Sequence, residues 1–122
     1  MVEVICDTNF LIHLATKNIR NIDNIEMDIG HLKFLVPKVV INELINLQKK
    51  KSNNIEIKTT MEFIKKFNTI EITGNYADKE IIQYVRQNPC FVGTMDFELK
   101  KILKQIGGKI ISFNKDYLIL EN

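Results

Sequence analysis

A chain of 122 residues suits one domain and can bury a core without disulfide or metal staples. Its 45% hydrophobic and 26% charged residues are those of an ordinary soluble globular protein, and a net charge of +2 singles out no partner. The longest unbroken apolar run, Tyr117–Leu120, is far too short to span a bilayer. Glu3 and Asp7 interrupt the start, where a secretory signal needs an apolar stretch, so a cytoplasmic location is expected.

Elements alternate along the chain. Val2–Cys6 reads as a strand, and Asn9–Lys17 as a helix with Phe10, Leu11, Leu14 and Ala15 on one face. Arg20 to His31 is weaker, and Ile22, Ile25, Met27 and Ile29 allow a short irregular helix. Phe34–Val36 is a second strand. Pro37 suits the first turn of a helix running to about Lys50, with Val40, Leu44 and Leu47 inward. After a break at Lys51–Asn54, Ile55–Phe67 aligns Ile57, Met61 and Ile64 as another helix. Thr69–Ile72 is a third strand, followed by a Gly74–Asn75 turn and a helix from Ala77 to Gln87. Cys90–Gly93 is a fourth strand, Asp96–Ile106 a last helix stopped by Gly107–Gly108, and Lys109–Phe113 a fifth strand. No repeat, low-complexity segment or linker divides the chain. Cys6 and Cys90 fall against expected buried strands without metal-ligand spacing, as small core residues in a reducing cytosol.

Such βα units predict an α/β three-layer sandwich: a five-stranded, mostly parallel sheet with helices on both faces. In that architecture the segments leaving the strands' carboxyl ends converge on one crevice. Asp7 follows the first strand, Glu43 lies one to two turns into the next helix, and Asp78 and Asp96 begin the helices after strands three and four. Singly, Asp78 and Asp96 read equally as helix caps, and Glu43 as a solvated helix residue. Together, unpaired anions cannot stay ionised in one cleft without cations. The pattern therefore points to a divalent-metal site.

The same residues resemble a known family. Cys6-Asp7-Thr8-Asn9, Glu43 within Val40-Ile41-Asn42-Glu43-Leu44, Ala77-Asp78, and Gly93-Thr94-Met95-Asp96 look like the four ordered signatures of PIN-domain nucleases. Asn75-Tyr76-Ala77-Asp78 and Thr94-x-Asp96-x-Glu98-Leu99-Lys100-Lys101 are most similar to the ribosomal-RNA-processing branch and to archaeal toxin-like stand-alone members. The resemblance covers nearly the whole chain. It implies a single PIN-like domain over residues 1–122, with a five-stranded parallel sheet and Mg²⁺- or Mn²⁺-dependent endonuclease activity, mainly on RNA.

Hard ions prefer carboxylate oxygens and water. With them, water would attack the phosphorus in line and leave a 5′-phosphate and a 3′-hydroxyl. Asp7 and Asp96 are the expected direct ligands. Glu43 and Asp78 would bind a second ion or its waters, or assist proton transfer. Asn9 and Thr94 match polar motif positions that could orient the carboxylates; they read equally as a helix cap and a strand-end residue. Glu98 matches a further acid that could touch metal or serve the helix dipole. Lys79, Phe97 and Met95 depart from the common pattern, and Lys79 could contact phosphate or weaken a second metal site.

Lys100, Lys101 and Lys104 lie on the helix after Asp96, and Lys49–Lys51 and Lys65–Lys66 form two more basic clusters. These suit RNA phosphates or a solvated surface. Tyr76 and Phe97 flank the expected cleft and could stack on a base or pack. His13 and His31 share no ligand spacing. A receiver domain lacks its acidic pair here, and a DxD phosphatase would need an acid where Asn9 stands. The expected partner is single-stranded or structured RNA, in ribosomal-RNA processing or as a toxin-like ribonuclease. Ribosome precursors or a cognate antitoxin would be the respective partners, and a homodimer is implied only by relatives. A catalytically silent scaffold binding RNA or protein is the non-enzyme alternative.

Overall fold

The computed structural model describes residues 1–121. Six strands form one sheet: β1 (Val2–Cys6), β2 (Leu32–Pro37), β3 (Asn68–Ile70), β4 (Phe91–Gly93), β5 (Lys109–Asn114) and β6 (Tyr117–Glu121). The helices are α1 (Thr8–Thr16), α2 (Ile22–Ile29), α3 (Lys38–Lys50), α4 (Ile55–Phe63), α5 (Ala77–Gln87) and α6 (Phe97–Gln105). The strand order is β3-β2-β1-β4-β5-β6, parallel throughout except for β5 with β6. Among the described residues no helix is long and apolar enough to cross a membrane.

The central strands are apolar because both faces are covered. Val4, Ile5, Cys6, Val36, Val92, Ile110 and Ile111 are all at most 2% exposed. From β1 the chain builds outward through β2 to β3, then returns to the other side of β1 with β4. The order therefore reverses between β1 and β4, and such a switch point opens a crevice at the strands' carboxyl ends. Asp7 and Thr94 stand at that opening. The Asp7 N–H donates to the Gly93 carbonyl at 3.0 Å, and Cys6 pairs with Gly93 in the ladder.

Gly93 fits α1 against this point. A Cβ there would lie 2.6 Å from the Phe10 ring, so only glycine lets the ring seat on β4. Phe10 is fully buried and stacks on Phe113 at 4.8 Å between centroids, with Phe34 at 6.2 Å.

The expectation of five strands is corrected to six. Asn114 pairs with Tyr117 around a Lys115-Asp116 turn, with Lys115 at φ 57°, and the apolar run Tyr117–Leu120 becomes an antiparallel edge strand. Asn21 secures it, donating to the Leu118 carbonyl at 2.9 Å and accepting from the Leu118 N–H at 2.6 Å. The helix expected over Ile55–Phe67 ends at Phe63 and tightens into a 3₁₀ turn, Ile64–Lys66. Phe67 thereby swings in beside Phe34, 5.7 Å between centroids, before β3 begins. Cys6 is buried and Cys90 half-buried, and both are free thiols.

Candidate active site

Asp7 ends β1 and caps α1. Its Oδ1 accepts from the Phe10 N–H at 2.9 Å, and its Oδ2 accepts from the Thr94 hydroxyl. Thr94 is fully buried, and its Oγ1 also accepts from the Asp96 N–H at 3.1 Å. Asp96 in turn caps α6, its Oδ1 accepting from the Leu99 N–H at 3.1 Å. One relay thus fixes two carboxylates from two strand ends. The bland cap reading and the site reading of Asp96 are compatible, because capping uses one of its oxygens. Asn9 is not the cap of α1; it is exposed and lines the cleft.

Glu43 and Asp78 complete the acidic rim. Burying Val39, Val40 and Leu44 against the sheet leaves Glu43 exposed on the face of α3 toward the opening. Asp78 lies in the first turn of α5, its Oδ1 accepting from the Lys79 N–H at 2.9 Å. Asp7, Glu43, Asp78 and Asp96 line one cleft of about 190 Å³, together with Thr8, Asn9 and Tyr76. Glu98 is exposed in the first turn of α6 and is not part of that lining.

Electrostatics mark the centre of the cleft. Burial pushes the Asp7 carboxyl up to about 6, with the neighbouring Asp96 and Glu43 charges adding to the rise. The hydrogen bonds from Thr94 and Phe10 pull the other way without cancelling it. Thr8 was missed by sequence reasoning. Its hydroxyl is buried without a hydrogen-bond partner at the cleft wall. Its place between a strand-end acid and Asn9 was the available signal.

The lysines divide. Lys79 stands 5.1 Å from the Tyr76 ring centroid and Lys101 stands 5.6 Å from that of Phe97; both rings are exposed. Lys100 and Lys104, expected to face RNA, bond Glu121 at 2.6 and 3.1 Å. The unforeseen strand β6 delivers that carboxylate beside α6. Burial raises the Glu121 carboxyl, but bonds from Lys100, Ser112 and Lys104 outweigh it and hold the group at about 2, below its ordinary 4.5. A depressed carboxylate stabilises the fold above 4.5 and loses that contribution as pH falls toward 2. Glu121→Gln is therefore expected to cost about 1–2 kcal/mol at neutral pH and to flatten the acid limb of stability, read by thermal melts across pH. An unchanged acid limb would remove Glu121 from that role. His13 stacks on Phe113 at 4.3 Å and bonds the Lys115 carbonyl, which is structural.

An acidic cleft at the switch point of a mostly parallel sheet with helices on both faces defines the class: an α/β domain with a carboxylate-lined site. The chain belongs to the PIN-like domain family, whose profile matches residues 4–115, and so to the PIN-domain nuclease superfamily. It is 29% identical over 111 residues to Ribonuclease VapC4 of Methanocaldococcus jannaschii, covering 86% of this chain and 85% of that one. It is also similar to the PIN domain endonuclease Utp24, with a TM-score of 0.79 and 26% identity over 98% of this chain and 90% of that one.

Proposed function

We propose that residues 1–122 act as one domain, an endoribonuclease that hydrolyses RNA phosphodiester bonds with Mg²⁺ or Mn²⁺. The carrying observation is the meeting of Asp7, Glu43, Asp78 and Asp96 in one cleft of a PIN-like fold. The names of the two similar proteins, a ribonuclease and an endonuclease, support it.

The donors fit a hard divalent ion. They are carboxylate oxygens, with the unpartnered Thr8 hydroxyl at the same wall. Among the described residues no three His, Cys, Asp or Glu side chains stand so that they could hold an ion by themselves. Mg²⁺ is usually held by one or two carboxylates, with water and phosphate oxygens completing its shell. Asp7 and Asp96 would hold it, with Glu43 and Asp78 on its waters or on a second ion. When bound, the ion supplies a water of lowered pKa and stabilises charge on the phosphate and the leaving 3′ oxygen. Thr94 ties the Asp7 carboxylate to the backbone N–H of Asp96, whose own carboxylate is held by the Leu99 N–H. A carboxylate oxygen of Glu43 or Asp78 would take the proton of the attacking water as the P–O3′ bond breaks, and the departing 3′ oxygen would take a proton from solvent, giving a 5′-phosphate and a 3′-hydroxyl.

Ribosomal-RNA processing is the setting we propose, on the Tyr76-Ala77-Asp78 and Thr94-x-Asp96-x-Glu98 motifs. The likeness to the Methanocaldococcus jannaschii ribonuclease favours toxin-like RNA cleavage as the second reading. Capture of a ribosome precursor or of a cognate antitoxin by the native protein separates them.

The test is cleavage of end-labelled single-stranded and hairpin RNAs with Mn²⁺, Mg²⁺ or EDTA. Metal-dependent cutting by the wild type, reduced on the order of 10²–10⁴-fold by Asp96→Asn, is the expected result. No cutting, together with no rise in melting temperature on adding Mn²⁺, would return the chain to a non-catalytic scaffold.

A further inference from the structure

A second groove, of about 440 Å³, adjoins the acidic cleft and shares Glu43 with it. One wall is α3, where Asn42, Asn46 and Lys49 stand at i, i+4 and i+7 and so form one exposed stripe. The other wall is Gly74 and Asn75 of the loop before α5, where Gly74 adopts φ +134°, a conformation side chains resist. The next residue, Tyr76, is 62% exposed and lines the acidic cleft itself. An exposed aromatic ring therefore stands one residue from the groove's Asn75, with the Lys79 ammonium 5.1 Å from its centroid.

The chemistry of this groove differs from that of its neighbours. Its lining holds three amides and one ammonium beyond the shared Glu43, and the Glu80 carboxylate lies over Gly74 at its edge. Each amide offers both donors and an acceptor, the combination that matches the edge of a nucleobase. A further groove, past Asn9 and Asp96, offers one amide, Asn9, and one ammonium, Lys17. There His13 is bonded to the Lys115 carbonyl, the Thr16 hydroxyl to the Ile12 carbonyl, and Glu56 would repel phosphate. The amide groove also falls within the roughly 300–1,000 Å³ usual for small-molecule sites.

We infer that this groove receives an unpaired nucleotide next to the scissile phosphate. Its base stacks on Tyr76, its edge meets the amides of Asn42, Asn46 and Asn75, and Lys49 faces its phosphate. A base can offer its edge and its face together only when it is unstacked, so the substrate is single-stranded at this position. The inference rests on the reading of the acidic cleft as the phosphodiester-cleaving centre.

The test uses the full chain carrying Asp96→Asn, so that RNA stays intact, and fluorescence anisotropy of short labelled single-stranded homopolymers. Tyr76→Ala in that background should raise Kd about tenfold, and Tyr76→Phe should restore it, since only the ring is needed. Asn46→Ala should narrow the spread of Kd among the homopolymers about tenfold, because lost edge contacts remove discrimination. Melting curves confirm that these exposed substitutions leave the fold intact. Affinities and base preferences equal to the parent's would overturn the groove, even if the wild-type chain cuts the same RNAs with Mn²⁺. Dependence of binding on Tyr76 and Asn46 without any cutting by the wild type would uphold the groove and overturn the nuclease reading instead.

Discussion

Replacing Asp7 by asparagine is expected to reduce RNA cleavage on the order of 10²–10⁴-fold while raising the thermal stability of the metal-free protein. The two effects share one cause. Folding carries the Asp7 carboxyl from 3.8 to about 6, so the folded state holds its proton more tightly than the unfolded chain does. The sign follows: as pH rises from 3.8 through 6, the ionised carboxylate increasingly destabilises the fold, and above 6 the cost is complete. The span corresponds to about 3 kcal/mol, an upper value because asparagine only partly replaces the acceptor for Thr94. Melts in EDTA at neutral pH should show the variant above the wild type, and the gap should close near pH 4. Adding Mn²⁺ should raise the wild-type melting temperature and leave the variant unmoved. A variant that melts lower in EDTA at neutral pH would show that Asp7 serves the fold as a hydrogen-bond acceptor before anything else. Retained cleavage would take it out of the reaction.

Phe10→Ala should cost about 3–5 kcal/mol, a large part of the 5–15 kcal/mol that holds a typical domain together. Phe10 is fully buried, with its ring against Gly93 and among Phe34 and Phe113, so its loss opens a cavity at the centre of the sheet. Gly93→Ala alone should cost about 1–3 kcal/mol, since the new methyl would lie 2.6 Å from that ring. In the Phe10→Ala background the collision disappears and the cost should largely vanish. Denaturant titrations of the single and double variants read this coupling. Additive losses would mean that α1 is held against the sheet by other contacts. The consequence reaches the cleft, because α1 begins at Asp7 and a tilt of the helix moves that carboxylate.

Much of the architecture was legible in the chain because the relevant forces are local. Helices α1, α3, α5 and α6 lie within one or two residues of their periodicity limits, and α5 and α6 are closed by residues that cannot continue them, Asn88-Pro89 and Gly107. Strand β6 was not legible. Tyr117–Leu120 is apolar throughout and shows no alternation, and its partner is set by a turn at Lys115, whose φ of 57° its residue type does not announce. The 3₁₀ ending of α4 was hidden for a related reason. The positions at Ile64 and Phe67 satisfy helical spacing, but packing of Phe67 on Phe34 overrides it.

The site divides in the same way. By itself the sequence determined that Asp7, Glu43, Asp78 and Asp96 leave the carboxyl ends of successive strands, since strand, turn and helix signals act over a few residues. It determined the family as well, through the order of the motifs. Only the tertiary structure decided which polar groups meet. The Thr94 hydroxyl reaches Asp7 across 87 residues, and Lys100 is taken by Glu121 across 21. Those pairings depend on the order β3-β2-β1-β4-β5-β6 and on the antiparallel return of β6. Short-range patterns carry no information on either, because strand order is chosen by the packing of the whole sheet.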